Sequence, residues 1–370
     1  MGHERHWIAR ASTHRVMQEV FPLDGGNAEE SFSKVGAGTF TLPIGRTAMN
    51  FTYEQGLDLT TPNSRFVVQG TESRIEYVGL IKKSRWVEDI ESYVVQCKEV
   101  RSNFAKRLPH YIGEYGTPMS TVTLNNVSLR HAVSHMIDLG ANRGRERWDL
   151  RLTPGVFEWG GFSDVLERAK AQKLEHVLTR YERMPAGPNW HLKPTWDEPG
   201  LILFDRRIGA PLLNQGTFDF DLDAHDCPVS VGDFERDGED QTTGVLVQAD
   251  GIGEGKLIAQ IVEGDLADNG GGYDGFFLDD VLTDDATNEP LAFQRGLSYL
   301  TAHQYPAQSL PIRVRLRRDG TDPILDPGAR LVLRTAKSRG LPPLSTWYVN
   351  GVRYRTGSDF VDVDATPLPS

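Results

Sequence analysis

PNSRFVVQGTESRIEYVGL, residues 62–80, returns in altered form as PGARLVLRTAKSRGLPPLSTWYVNG, residues 327–351. Pro62, Arg65, Phe66, Val67 and Val68 answer to Pro327, Arg330, Leu331, Val332 and Leu333. After turns at Gly70 and Gly340, Tyr77, Val78 and Gly79 answer to Tyr348, Val349 and Gly351. Each copy follows an alternating apolar stretch (Phe40, Leu42, Ile44; Ile312, Val314, Leu316). Each precedes another (Tyr93, Val95, Cys97; Phe360, Val361, Val363). Alternation with period two marks strands, and glycine at a turn permits a hairpin. Two similar β units in one chain point to a duplicated barrel.

Working outward, residues 1–112 read as β, with strands at 13–22, 38–44, 65–69, 74–82 and 92–99. Around Tyr77 both faces are partly apolar, as in a barrel wall that packs on a neighbour. The character changes after Thr117. Asn126 is expected to cap a helix over 127–139, with Leu129, Ala132, Val133, Met136 and Ile137 on one face and Gly140 as its stop. A basic loop follows at 143–147. A second helix is expected over 163–180, with Val165, Leu166, Ala169, Leu174, Val177 and Leu178 inward. Short strands fill 190–208. From 216 onward the chain is β again, with strands at 217–222, 228–231, 244–249, 256–262, 275–278, 311–317, 329–334, 345–354 and 359–363. One helix over 288–303 interrupts them, capped by Asn288, with Pro290 in its first turn and Leu291, Leu297 and Leu300 inward. The expected fold is mainly β with an α/β insertion: a first β-barrel domain at 1–112, an α/β insertion domain at 113–215, and a second β-barrel domain at 216–370 carrying the inserted helix.

At 370 residues the chain can hold several cores. Its formal net charge of −11 discourages general phosphate binding. Two cysteines, Cys97 and Cys227, make neither a disulfide framework nor a zinc spacing, and suit a reducing compartment. Residues 1–10 hold no apolar run, so no signal peptide is expected, and no stretch has the length of a membrane span.

The chemical motifs weaken on inspection. Asp219, Asp221 and Asp223 alternate with Phe218, Phe220 and Leu222, which describes the solvated face of a half-buried strand. Asp233, Glu235, Asp237 and Gly238 start like a calcium loop, but position twelve is Gly244, not glutamate. Gly251, Gly253, Gly255 and Lys256 lack the hydroxyl residue a Walker loop needs, and a strand follows them instead of a helix. His131 and His135 share a helix flank without a nearby acidic or thiol partner. Cys97, inside a strand, reads as packing and not as a nucleophile. Arg313, Arg315 and Arg317 line one strand face, suited to solvent or an acidic neighbouring subunit. No catalytic, cofactor-binding or metal-binding residue is assigned, and no cofactor is expected.

The order of barrel-like β, helical insertion and second barrel resembles the tail hub proteins of long-tailed bacteriophages, also called minor tail or Tal-like baseplate hub proteins. The likeness is carried by the C-terminal run from the Pro-x-x-Arg strand through Trp347, Tyr348, Val349, Asn350, Gly351 and Val352 to Phe360, Val361, Asp362 and Val363. Residues 32–42 with Gly36 and Gly38, and Tyr77, Val78, Gly79, Leu80 and Ile81, carry it at the N-terminal end. The resemblance implies a homotrimeric ring in a virion tail tip, assembled in the host cytoplasm. Two barrels per copy would adapt a sixfold tail tube to a threefold tip. It implies the distal tail protein, the tape measure protein and tail adhesins or fibres as partners, and DNA only in transit through the lumen. The chain ends soon after the last strand, so cell-wall cleavage or receptor binding is expected from separate subunits. The family brings no catalytic residues to these positions. Two other readings stand beside it: a carbohydrate- or peptidoglycan-cleaving tail enzyme using Asp219 or Asp279 and Asp280, and a glycan-binding β module using exposed Trp190 and Trp196.

Overall fold

Phe40 sits opposite Val95 and Leu42 opposite Tyr93 in an antiparallel pair, so the two alternating stretches around the first copy are neighbours in space. Around the second copy the same holds: Ile312 faces Val363 and Val314 faces Val361. The computed structural model that shows this describes residues 4–23, 26–32, 34–44, 51–110, 120–141, 148, 150–167, 172–184, 186–249, 258–263, 278–284, 289–315, 325–336 and 341–368.

The N-terminal half runs β1 (Arg5–Arg10), β2 (Val16–Val20), β3 (Asn27–Ser31), β4 (Ala37–Leu42), α1 (Tyr53–Leu59), β5 (Arg65–Gly70), β6 (Ile75–Val87) and β7 (Ser92–Lys98). The middle runs β8 (Val122–Val127), α2 (Leu129–Ala141), β9 (Phe162–Leu166), α3 (Leu174–Glu182), β10 (Trp190–Glu198) and β11 (Leu201–Ile208). Then come β12 (Thr217–Asp221), β13 (Val229–Val231), β14 (Glu235–Asp237), β15 (Gly244–Ala249), β16 (Ile258–Glu263), β17 (Asp279–Asp284), α4 (Glu289–His303), β18 (Ala307–Ser309), β19 (Ile312–Arg315), β20 (Arg330–Arg334), β21 (Leu344–Arg355) and β22 (Phe360–Pro367).

The chain forms two compact units. One comprises Met1–Tyr181, Pro188–Gly232 and Pro311–Ser370; the other comprises Glu182–Gly187 and Asp233–Leu310. In the larger unit the N-terminal strands lie in the order β3-β4-β7-β6-β5-β1-β2. Ile8, Val20, Ala28, Phe40, Val67, Tyr77 and Val95 share one buried core. Strands from both ends of the row meet in that core, which requires a strongly curled sheet. The C-terminal strands lie in the order β13-β19-β22-β21-β20-β12. The two rows share one connectivity: β3, β4, β7, β6, β5 and β1 occupy the places of β13, β19, β22, β21, β20 and β12, in the same chain order. The outermost pair differs, since β1 is antiparallel to β5 and β12 is parallel to β20.

The duplication is therefore topological, and the sequence match is out of register. Tyr77 lies opposite Gln69, whereas Tyr348 lies opposite Arg330. The better landmark is a bulge on each long strand, between Ile81 and Lys83 in β6 and between Val349 and Gly351 in β21. The two rows also join, because β21 pairs with β3. Among the described residues no pairing returns β2 to β3, so each half is described as a curled row within one hydrogen-bonded sheet.

The middle section keeps its first helix, with changed ends. Ser128 Oγ accepts from the His131 amide at 3.0 Å, so Ser128 and not Asn126 caps α2. Asn126 adopts a positive φ of 50° in β8 instead. The helix passes through Gly140, whose missing Cβ leaves room for Leu174 and Phe104; this glycine serves close packing rather than termination. The expected helix over 163–180 is instead a strand and a shorter helix. Residues 162–166 pair with β8, and α3 begins at Leu174. Asp164 accounts for the strand: its carboxylate accepts from Tyr181 Oη at 2.7 Å and from Arg180, tying β9 to α3. Val165 is exposed, while Leu174, Val177 and Leu178 are buried as expected. Arg206 in β11 grips Asp138 of α2 with two bonds of 2.7 and 2.9 Å, anchoring the helix to the hairpin. Strand β1 was not expected, and neither was β3.

In the smaller unit β15 lies between β16 and β17, and Val245 and Val247 pack with Ala292 and Leu300 of α4. Leu297, expected inward, is exposed. Glu235–Asp237 pairs with β18, so the calcium-like run is a strand. Asn288, residues 251–256 and 275–277, Gly340, Ala169 and the basic run at 143–147 lie outside the described residues.

Val133 is fully buried on α2. Val133→Asp should lower stability by about 3–5 kcal/mol, the range for an unpaired buried charge. Thermal unfolding checks this, and an unchanged midpoint would place the wrong face inward.

Candidate functional site

Strand β3 is polar by sequence, Asn-Ala-Glu-Glu-Ser, yet it lies between two strands. On one side it pairs with β4. On the other, Ser31, Glu30, Glu29, Ala28 and Asn27 face Gly351, Val352, Arg353, Tyr354 and Arg355 of β21. Gly351 lets the strands approach closely here: a Cβ would meet the Glu30 carbonyl at 3.0 Å. On the outer face Arg353 pairs with Glu29 at 3.4 Å. On the inner face Tyr354 and Glu30 are each 1% exposed.

Burying Glu30 is costly unless the charge is matched. Lys193 of β10 supplies the match, its Nζ donating to Glu30 at 2.6 Å and lying 3.0 Å from Asp326. Asp326 also takes Arg207 at 2.9 Å and Arg74 at 3.3 Å. The cluster thus draws β3, the turn between β5 and β6, β10, β11 and the segment before β20 to one point. Burial alone would push the Asp326 carboxyl up, but Lys193, Arg74 and Arg207 outweigh it and hold it well below the usual carboxylate range. At Glu30 burial dominates and pushes the carboxyl up, against the pull of Lys193 and His191.

His191 Nε2 lies 3.5 Å from Glu99 and 3.8 Å from Glu30. These three residues bring ligand-type atoms within 4.8 Å of one another. Lys193 already neutralises Glu30, and Glu99 accepts from the Gly36 amide at 2.8 Å, so the group has a structural explanation without an ion.

Asp219, Asp223 and Asp280, weighed for chemistry, have partners of their own. Asp219 pairs with Arg334, accepting from its Nε at 2.9 Å, and Asp223 accepts from the Ala336 amide at 2.7 Å. The acidic stripe therefore clamps β12 to β20. Asp280 accepts from Tyr299 Oη, and this bond holds its carboxyl low, the opposite of what a general acid needs. Trp190, expected exposed, is 1% exposed beneath Arg101; Trp196 is half-buried and donates to the Thr71 carbonyl at 3.1 Å. Cys97 is buried and its thiol is pushed up by burial. His131 and His135 stack with ring centres 5.9 Å apart, and the His131 ring bonds the Val156 carbonyl. Arg313 pairs with Asp362 at 3.1 Å, and Arg317 lies outside the described residues. The Glu30–Lys193–Asp326 cluster escaped the sequence reading. Its only trace there was two glutamates in a short stretch with no turn or helix signal.

Solved structures align with this chain over nearly its whole length. The tail protein of Neisseria meningitidis MC58 aligns over 99% of this chain and 96% of its own at a TM-score of 0.56 and 12% identity. The 43 kDa tail protein of prophage MuSo2 from Shewanella oneidensis aligns over 99% of each chain at 0.58 and 9%. The fold is that of phage tail proteins. A chain of the Francisella PdpA–VgrG complex also aligns, over 98% of this chain and 57% of its own, at 0.52 and 8%. No family model matches the sequence, and no curated protein matches it. Among the described residues no helix is long and apolar enough to cross a membrane.

Asp326→Asn leaves Lys193, Arg74 and Arg207 without their shared carboxylate and should cost about 3–5 kcal/mol near neutral pH. Because the folded-state pKa is depressed, this stabilisation is present above the unfolded value and is lost as pH falls through and below about 4. Unfolding midpoints of the wild type and the variant should therefore converge on acidification. A constant gap from pH 7 to pH 3 would show that Asp326 is not the charged centre of the cluster.

Proposed function

We propose that the chain is a structural hub of a phage tail tip. In this reading three copies form a ring, and each copy contributes two curled rows that close as related barrels. Six such units would match a sixfold tail tube while the assembly itself is threefold. The distal tail protein, the tape measure protein and adhesins or fibres are its partners, and DNA passes through the lumen without being bound. The protein has no catalytic role; it works in the tail tip of the virion. The division into 1–112, 113–215 and 216–370 belongs to this proposal, with the middle part as the site for a partner specific to the tip.

One observation carries the reading: six strands recur with the same neighbours and the same chain order. A symmetry adaptor needs two comparable units per chain, whereas a single-site enzyme or glycan binder does not. The acidic balance, −11 over the chain, suits passage of DNA without adhesion. The tail proteins that share the fold support a place in the tail, and the VgrG complex supports partners of the tail-component kind.

Native mass measurement of the purified chain tests this. A mass of three copies is expected. A monomer at every concentration, alone and with the distal tail protein, would contradict it.

A further inference from the structure

The long strands β6 and β21 are equivalent, and each divides at its bulge. Before the bulge, β6 pairs with β5 and β21 pairs with β20. After it, both keep their partner on one side, β7 or β22. On the other side β21 takes β3, while residues 82–87 of β6 have no strand partner among the described residues. Counting from the bulges, Arg85 stands where Arg353 stands, and Trp86 where Tyr354 stands. Tyr354 is 1% exposed under the β3 junction; Trp86 is 40% exposed.

The equivalent of β3 is β13, and it too has an open edge. Strand β3 lies between β4 and β21, whereas β13 pairs with β19 alone among the described residues. Among the described residues, one chain therefore holds a completed junction, β3 on β21, and both halves of a second one that is not completed.

We propose that residues 82–87 of β6 pair edge to edge with β13 of a second copy of this chain. The internal junction is the template. There Glu29 of β3 meets Arg353 of β21. The open β6 edge carries Lys83 and Arg85, both exposed, while Asp233 and Glu235 follow β13 in sequence and are exposed as well. Gly232 donates to Pro311 at 2.8 Å, extending the β13 ladder by one residue. Charge therefore favours this pairing over β6 against β6. The contact is head-to-tail, so it repeats around a ring; with one junction inside each chain and one between chains, the alternation closes. The number of copies rests on the ring reading above, but the edge rests on the β3–β21 junction. Lysines on an open strand edge also keep edges from pairing, and the experiment separates these two roles.

The test is a charge swap read by sedimentation and native mass measurement. Lys83→Glu with Arg85→Glu should weaken the trimer at least tenfold, and so should Asp233→Lys with Glu235→Lys. Combining all four should restore it, which also shows that each set folds. Backbone amides of residues 82–87 should exchange more slowly in the wild-type trimer than in the weakened variants. A wild-type trimer that ignores the substitutions, or fails to recover in the combined variant, overturns the edge assignment and leaves the hub reading standing. A persistent wild-type monomer overturns both.

Discussion

Strand β3 has only two edges, and both are used, one by each half of the duplicated fold. Its pairing with β4 completes the N-terminal row, and its pairing with β21 carries the hydrogen-bond ladder into the C-terminal row. Among the described residues, the strand ladder that joins the two rows passes through this strand. The constraint explains the odd composition of β3. A strand buried between neighbours is usually rich in Val, Ile and Leu, but here Glu30 faces inward because Lys193 waits for it.

The ion cluster beneath that strand is better understood as a means of register than as a source of net stability. Replacing a buried ion group by apolar side chains is often neutral or favourable. What the cluster adds is a single acceptable geometry, since Lys193, Arg74 and Arg207 all converge on Asp326. A one-residue slip of β3 would turn Glu30 to the outer face and take it away from Lys193.

Much of the plan was legible in the sequence. Alternation located most strands, and the Phe40, Tyr93, Ile312 and Val361 stretches were recognised as flanks of a repeated hairpin. The side-chain match itself was misleading, because Tyr77 and Tyr348 hold different positions in their hairpins. Topology repeats while residues drift, since a curled row needs apolar alternation and not any particular Tyr-Val-Gly. Strand β1 went unread because His6, Trp7, Ile8 and Ala9 are all buried and so show no period of two. Strand β3 went unread because its stability comes from neighbours distant in sequence. The cluster at Asp326 was invisible for the same reason: Glu30, Arg74, Lys193, Arg207 and Asp326 share no local pattern. The helix expected at 163–180 failed at its start, where Asp164 is held by Arg180 and Tyr181 in a way that only the folded chain reveals.

The account depends on β3 and the second half of β21 being part of one cooperative ladder. Native-state hydrogen exchange measures this directly. The amides of Asn27–Ser31 and of residues 351–355 should exchange only with the opening of the cores on both sides, with similar protection in the two strands. Rapid exchange of these amides while both cores stay protected would show that the halves are not joined here, and the account would fail.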